Sequence, residues 1–319
     1  MFFSSFEAVL GDAGKLYVSP STIPIYRSML PLSTIITPNY FELQVLTDLA
    51  SESSTSSSQP SSTLSLSSST PPLTLSDLRK ALSILHGSYG VPHIVVSSIP
   101  MVFLQDELKV KNLLPGLEPT QTLLCLSSSH LPSQSSESTT KSIVHLGHVP
   151  LIHGYYSGVG DLFSALVLAH FHPSSSSEEE EEEEESTPLS RATSLALSKT
   201  HAILQLTADS LPLPYRVSPS SHTHTHTHTH PPNYTHTHTP SPSHSNPPSP
   251  NLTDDELDTA PLRKTRRMRA RELALVRGQD ILRITEDQVS KSKSKEEGRG
   301  EFGMVIREMN LWEGFWEDY

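Results

Sequence analysis

Apolar and polar positions alternate with different periods along the chain, and the periods mark out its elements. Near the amino end, Val9 and Leu10 read as a strand end running into a glycine-rich turn, and Ile23 to Met29 as a short helix. The run Ser33-Thr-Ile-Ile-Thr37 is β-branched and continuous, which predicts a buried strand; Pro38 and Asn39 then break it and open a helix over Tyr40 to Leu46. Leu75, Leu78, Leu82 and Leu85 recur at helical spacing, so Thr74 to His86 predicts a helix that stops at Gly87. His93 to Ser98 reads as a strand. Leu123 to Leu126 and Ser142 to Leu146 read as two halves of a hairpin. Two helices follow, Val159 to Phe171 and Ser190 to Thr207, the second with Leu195, Ala202 and Leu206 on one stripe. Strands alternating with helices predict an α/β layered fold, a mostly parallel sheet flanked by helices.

Other stretches cannot bury enough apolar surface to offset their ordering entropy. Residues 51–72, 127–141 and 173–189, rich in Ser, Thr, Pro or Glu, are expected to be disordered insertions within a unit spanning 1–210. Residues 211–262, with the His-Thr repeat from His222 to His230, form a linker, and 263–319 a basic segment followed by a last strand and short helix. These tracts explain why only 35% of the 319 residues are apolar and 6% aromatic. The net charge of -12 owes eight units to Glu178 through Glu185, so the acidity is local and names no partner.

A single cysteine, Cys125, excludes an internal disulfide framework and a cysteine-built zinc site, and fits a reducing compartment. The longest apolar run, Leu162 to Phe171, is far short of a membrane span, and the first six residues lack the charge pattern of a signal peptide. A soluble, cytoplasmic protein is expected, with the nucleus open to it. The basic run Arg263 to Arg271 has no interleaved aromatics and reads as a solvated linker rather than a nucleic-acid surface. The His-Thr repeat has no fixed geometry for a metal, and Cys125, between Leu124 and Leu126, reads as core.

Two constellations carry chemistry. In Tyr156-Ser-Gly-Val-Gly-Asp-Leu-Phe163, Gly158 and Gly160 let backbone approach a ligand, and the free amides of the following helix turn favour an anion. Asp161 at the same place is wasteful beside an anion unless it orients or deprotonates a nucleophile; the plainer reading is a glycine turn with Asp161 as a helix cap. In Thr37-Pro-Asn39-Tyr-Phe-Glu42, Asn39 and Glu42 lie three apart on one helix face, able to hold a hydrated magnesium ion against phosphates. Here too an ordinary N-terminal cap is the plainer reading.

The order of four stretches closely resembles the pyridoxal kinases of the ribokinase-like superfamily: Val9-Leu-Gly-Asp-Ala-Gly-Lys-Leu-Tyr-Val-Ser-Pro, Ile36-Thr-Pro-Asn-Tyr-Phe-Glu42, Val95-Val-Ser-Ser98 and Gly158-Val-Gly-Asp-Leu-Phe-Ser-Ala-Leu166. The resemblance covers residues 7 to about 208 and, weakly, Arg271 to Val276. It implies ATP-dependent transfer of phosphate to the 5-hydroxymethyl group of pyridoxal, pyridoxine or pyridoxamine. Asp161 would be the base and Gly158, Val159 and Gly160 the anion hole. Asp12 and Glu42 would act on magnesium through water, Asn39 would position phosphates, and Thr37 would sit by a monovalent cation. Tyr17, Ser97 and Ser98 would line the nucleotide phosphates, and the helix around Thr200 to Leu204 would close the adenine side. A homodimer is implied as well, provided the chain is complete.

The sequence departs from the family pattern in three ways. Val159 stands where the family usually has threonine, and Glu7 where it has aspartate. The stretch at residue 7 lies mid-chain in the family, so the chain is expected to lack the N-terminal βα units that hold most of the vitamin. Two further readings stay open: a related hydroxymethylpyrimidine or sugar kinase, and a non-catalytic nucleotide-binding fragment.

Overall fold

The computed structural model describes residues 5–12, 14–49, 72–110, 113–130, 142–154, 156–173, 186–211, 272–285, 288 and 304–317. The elements in chain order are β1 (Ser5–Phe6), β2 (Gly11–Asp12), β3 (Lys15–Leu16), α1 (Ile23–Met29), β4 (Ile35–Ile36), α2 (Tyr40–Leu46), α3 (Leu75–Ser83), β5 (His93–Pro100), α4 (Gln105–Val110), β6 (Thr122–Ser129), β7 (Ile143–Pro150), α5 (Val159–His170), α6 (Pro188–Asp209), α7 (Gln279–Arg283) and β8 (Asn310–Leu311).

Six strands form one sheet in the order β1-β4-β5-β6-β7-β8, and β2 and β3 make a separate antiparallel pair. The sheet is α/β in architecture but mixed, which corrects the expectation of a mostly parallel one. β1, β4 and β5 pair in parallel, whereas β6 pairs antiparallel with both β5 and β7, and β8 antiparallel with β7. The hairpin expected from Leu123 to Leu146 accounts for this. It places β6 beside β5, eight residue pairs long against β7, where a parallel partner would need a crossover. Because β6 reverses direction and β7 reverses again, β1, β4, β5 and β7 all run the same way and end at one edge of the sheet.

Side chains alternate across these strands and fill two cores. Ile94 and Val96 of β5 and Leu124 and Leu126 of β6 face α2 and α3, packing with Leu43, Leu46, Leu78 and Leu82. Val95 and Cys125 face the other way, onto Phe163 and Val167 of α5 and Leu189, Ala192 and Ala196 of α6. Cys125 is 1% exposed, and burial pushes its thiol up to about 12, as expected of a core residue. Each fully buried Leu or Val stabilises by roughly 1.5–3 kcal/mol relative to exposure, so these facing layers supply the cohesion that the polar tracts cannot.

The helix boundaries follow local chemistry. Asn39 caps α2 and Thr74 caps α3, each in a reciprocal capping box with the residue three positions on. Thr187 caps α6 likewise, with Pro188 in its first turn. α3 runs on through a short π-helical turn, Ile84 to Ser88.

The polar insertion expected over 127–141 begins later than its composition implies. Ser127, Ser128 and Ser129 complete β6 and are buried; ladder pairing satisfies their backbone, and neighbours meet the hydroxyls of Ser128 and Ser129, while that of Ser127 has no hydrogen-bond partner among the described residues. Ser128 meets His86 Nε2 at 2.8 Å and Ser142 Oγ at 2.7 Å, while His86 Nδ1 donates to the Val91 carbonyl at 2.6 Å. The tracts 51–71, 131–141, 174–185 and 212–271 lie outside the described residues. Toward the carboxyl end the short helix α7 comes first and the strand β8 after it, the reverse of the expected order; β8 closes one side of the sheet and brings Trp312 and Phe315 into the core.

Candidate active site

The loops at the common edge of β1, β4, β5 and β7 hold most of the residues singled out in the sequence. Glu42 organises them. It is 6% exposed; one carboxylate oxygen accepts the Leu10 amide at 2.8 Å and the Gly11 amide at 3.4 Å, and the other accepts the Asn39 amide at 3.0 Å. Asn39 returns a bond by accepting the Glu42 amide at 2.9 Å, and its side-chain amide donates to the Gly11 carbonyl at 2.9 Å. The cap predicted for α2 therefore exists, and the same two side chains fasten the β2–β3 hairpin carrying Asp12.

The hairpin is tight. Gly11 has no room for a side chain, because a methyl would meet the Lys15 carbonyl and the Phe41 ring. Tyr17 closes it through its backbone amide, which donates to the Leu10 carbonyl at 2.8 Å, while its ring is 60% exposed. Asp12 is exposed and exerts its field on Glu42 and Tyr40.

Across from this hairpin, Gly158 adopts φ +81° and turns the chain into α5, the left-handed conformation that glycine accepts without strain. Val159, Gly160 and Asp161 form the first turn, with Asp161 exposed. No side chain caps this helix end. Its first amides are left to whatever binds there.

Glu7, which follows β1, connects the two sides. Its carboxyl reaches the α5 entrance so closely that a Cβ on Gly160 would lie 2.7 Å from it, and it hydrogen-bonds Ser164 and Asp161. Burial, with Asp161 and Glu42 adding repulsion, pushes Glu7 up to about 7. Glu42 is also pushed up to about 7 by burial, against the pull of its three backbone donors. Neither pairs with a cation among the described residues. The Thr37 hydroxyl lies 2.7 Å from the Ser164 hydroxyl, which ties the end of β4 to α5.

Ser97 pairs with Asn39 in a parallel bridge and donates its amide to the Pro38 carbonyl at 3.0 Å. Ser98 is exposed with φ +59°, a turn into the site that a non-glycine residue adopts only under constraint. Thr200 to Leu204 lie in α6, remote in sequence but joined to the site through residues 272–285, since Ser157 bridges Glu272.

The structure thus brings together Asp12, Asn39, Glu42, Thr37, Ser97 and the Gly158–Asp161 turn, and adds two residues that were not singled out for the site, Glu7 and Ser164. Glu7 stood in the sequence only as a departure from the family pattern. Ser164 carried no signal beyond lying one turn after Asp161. Among the described residues no group of three or more His, Cys, Asp or Glu side chains could hold a metal ion directly.

No protein-family model matches the chain. A Schizosaccharomyces pombe protein whose name assigns it to the pyridoxal kinases is 32% identical over 209 residues, covering 66% of this chain and 53% of that protein. The pyridoxal kinase of Arabidopsis thaliana is 28% identical over 210 residues, 64% of this chain and 48% of the plant protein. The structure of Leishmania donovani pyridoxal kinase in complex with ADP and pyridoxine superposes with a TM-score of 0.51 at 15% identity, over 97% of this chain and 62% of that one. The chain spans about half the length of the curated relatives it matches. In line with the resemblance carried by the four motifs, the chain is similar over that half to proteins named pyridoxal kinases, and it shares the fold of a solved one.

Proposed function

We propose that this chain takes part in ATP-dependent phosphorylation of the 5-hydroxymethyl group of pyridoxal, pyridoxine or pyridoxamine. The observation that carries this reading is the convergence at one sheet edge of an uncapped glycine-turn helix end, Asp161 beside it, and a hairpin bearing Asp12 locked down by Asn39 and Glu42. Phosphoryl transfer needs charge neutralisation and positioning more than covalent chemistry. The amides of Gly158, Val159 and Gly160 neutralise the migrating phosphoryl group, and Asp161 takes the proton of the attacking hydroxyl.

Asp12 and Glu42 fit magnesium in one respect only. Both Glu42 oxygens already accept backbone amides, so a divalent ion would be held there through water, and when bound it would offset charge on the nucleotide phosphates. The surplus of buried carboxylate that drives Glu7 and Glu42 upward is what such an ion would relieve. Thr37 stands by a monovalent cation in this reading, and Asn39, Tyr17, Ser97 and Ser98 serve the nucleotide phosphates. We also place the protein in the cytoplasm, with access to the nucleus, and working as a homodimer without nucleic acid. The sole cysteine supports the reducing compartment, and among the described residues no helix is long and apolar enough to cross a membrane.

The test is formation of pyridoxal 5'-phosphate by the purified chain with magnesium and ATP, run beside a direct measurement of nucleotide binding. Product that forms with the wild type and disappears with Asp161→Asn supports the reading. Nucleotide binding without product from any of the three vitamers overturns the proposed reaction.

A further inference from the structure

Residues 272–285 lie across the fold and are held at several points. At one end Glu272 bridges Ser157, directly before the glycine turn. The Ala274 amide donates to Thr207 Oγ1 at 3.0 Å, and Arg277 donates to Ser210 Oγ at 2.5 Å. Gly278 packs against Ile203 and Leu206, and a Cβ there would displace the end of the Ile203 side chain. At the other end the Lys199 amine donates to the Leu282 carbonyl at 2.9 Å and to His170 Nε2, at the end of α5, also at 2.9 Å. Lys199 is 0% exposed and pairs with no acid among the described residues.

An ammonium has three N–H donors, whereas this site offers two neutral acceptors; a neutral amine has two donors and matches them. Burial accordingly pushes Lys199 down to about 8. His170 is held down to about 4 by burial, then by Lys199 and His172, so its ring is neutral and Nε2 is free to accept. From the other side, Asp280 and Arg283 pair with each other at 3.6 Å and are largely exposed.

We propose that Lys199 is a positioning residue for the nucleotide side of the site: it clamps residues 272–285 as a strap over α6 and, through the Ser157–Glu272 bridge, steadies the loop leading into the glycine turn. The nucleotide role rests on the phosphoryl-transfer reading. The strap on its own does not. With the strap open, Lys199 is solvated and returns toward its ordinary value near 10.4. Between that value and about 8 the open state holds a proton that the closed state lacks, so closure strengthens as pH rises, by up to about tenfold per unit.

The experiment is hydrogen exchange on the intact chain, following protection of the Ala274, Gly278 and Leu282 amides from pH 7 to 10, with Lys199→Met and Lys199→Arg alongside. Binding of a non-hydrolysable ATP analogue is measured on the same samples. Protection in the wild type is expected to rise by roughly 50-fold over this range, most of it between pH 8 and 10, and to stay flat in both variants, with analogue affinity in Lys199→Met weakened by about fivefold or more. Wild-type protection that is flat or falls with pH overturns the clamp, and this series needs no variant to fold. A loosened strap with unchanged analogue affinity overturns the positioning role. A wild type that binds no analogue overturns the phosphoryl-transfer reading and the nucleotide role with it, while the pH series still decides the clamp.

Discussion

The two ends of the central strands bury polar groups in opposite ways. At the edge where β1, β4, β5 and β7 finish, Glu7 and Glu42 are carboxylates crowded against Asp161 and Asp12, and burial raises both. At the edge where β5 begins and β6 ends, His86, His93, Ser128, Ser129 and Ser142 are neutral groups bonded to one another and to backbone. Burial there lowers His86 and His93 to about 4, which keeps them uncharged. The second edge has the character of a structure satisfied with itself. The first has crowded carboxylates that pair with no cation among the described residues, and that contrast marks a candidate site apart from a polar core without recourse to any motif.

The largest effect expected is on chemistry at the crowded edge. Asp161→Asn should lower transfer by roughly 100- to 10,000-fold while nucleotide binding persists, because the proton taken belongs to the alcohol. Equal loss of binding and turnover, measured by titration calorimetry and product assay, would break the contrast by making Asp161 a fold residue. At the satisfied edge the effect should fall on stability instead. His86→Ala orphans the Val91 carbonyl, while Ser128 keeps its bond to Ser142, and should cost about 1–3 kcal/mol, read from denaturant midpoints. No change in the midpoint would mean that water replaces the ring without loss.

The two edges should also answer pH with opposite signs. Raised carboxyls leave the folded state holding protons that the unfolded chain has lost, so Glu7 and Glu42 withdraw stability as pH climbs from about 4.5 to 7. Lowered imidazoles do the reverse, and His86 and His93 withdraw stability as pH falls from about 6.5 to 4. Melting temperatures of Glu42→Gln across pH 4 to 8 should lose part of the first slope and keep the second; an unaltered profile would remove Glu42 from the account. The smallest effect is expected from deleting residues 219–250, which should leave melting temperature and nucleotide affinity unchanged, since that tract has almost no apolar content for a core.

What could be read in the sequence was whatever local chemistry decides. The α2 helix appears at Tyr40 to Leu46 as expected because Pro38, Asn39 and Glu42 specify its start within five residues. The glycine turn into α5 was legible for the same reason. The parallel expectation failed because strand direction is a long-range property. Two-residue strands such as β1 and β8 leave no period to detect and exist only by pairing with Ile35–Ile36 and with His145–Leu146. Ser127 to Ser129 looked like the start of a polar tract since nothing near them announces that His86, 42 residues before Ser128, will receive a hydroxyl. Glu7 was overlooked for a like reason, its partners Ser164 and Asp161 lying more than 150 positions away.

Cys125 gives the chain a clock. The thiolate is the reactive form, and a group held near 12 and out of contact with solvent in the middle of β6 reacts with an alkylating reagent only when the strands on either side part. As the single thiol among 319 residues, it turns the rate of one covalent event into the rate at which the centre of the sheet opens, without any label having to be introduced.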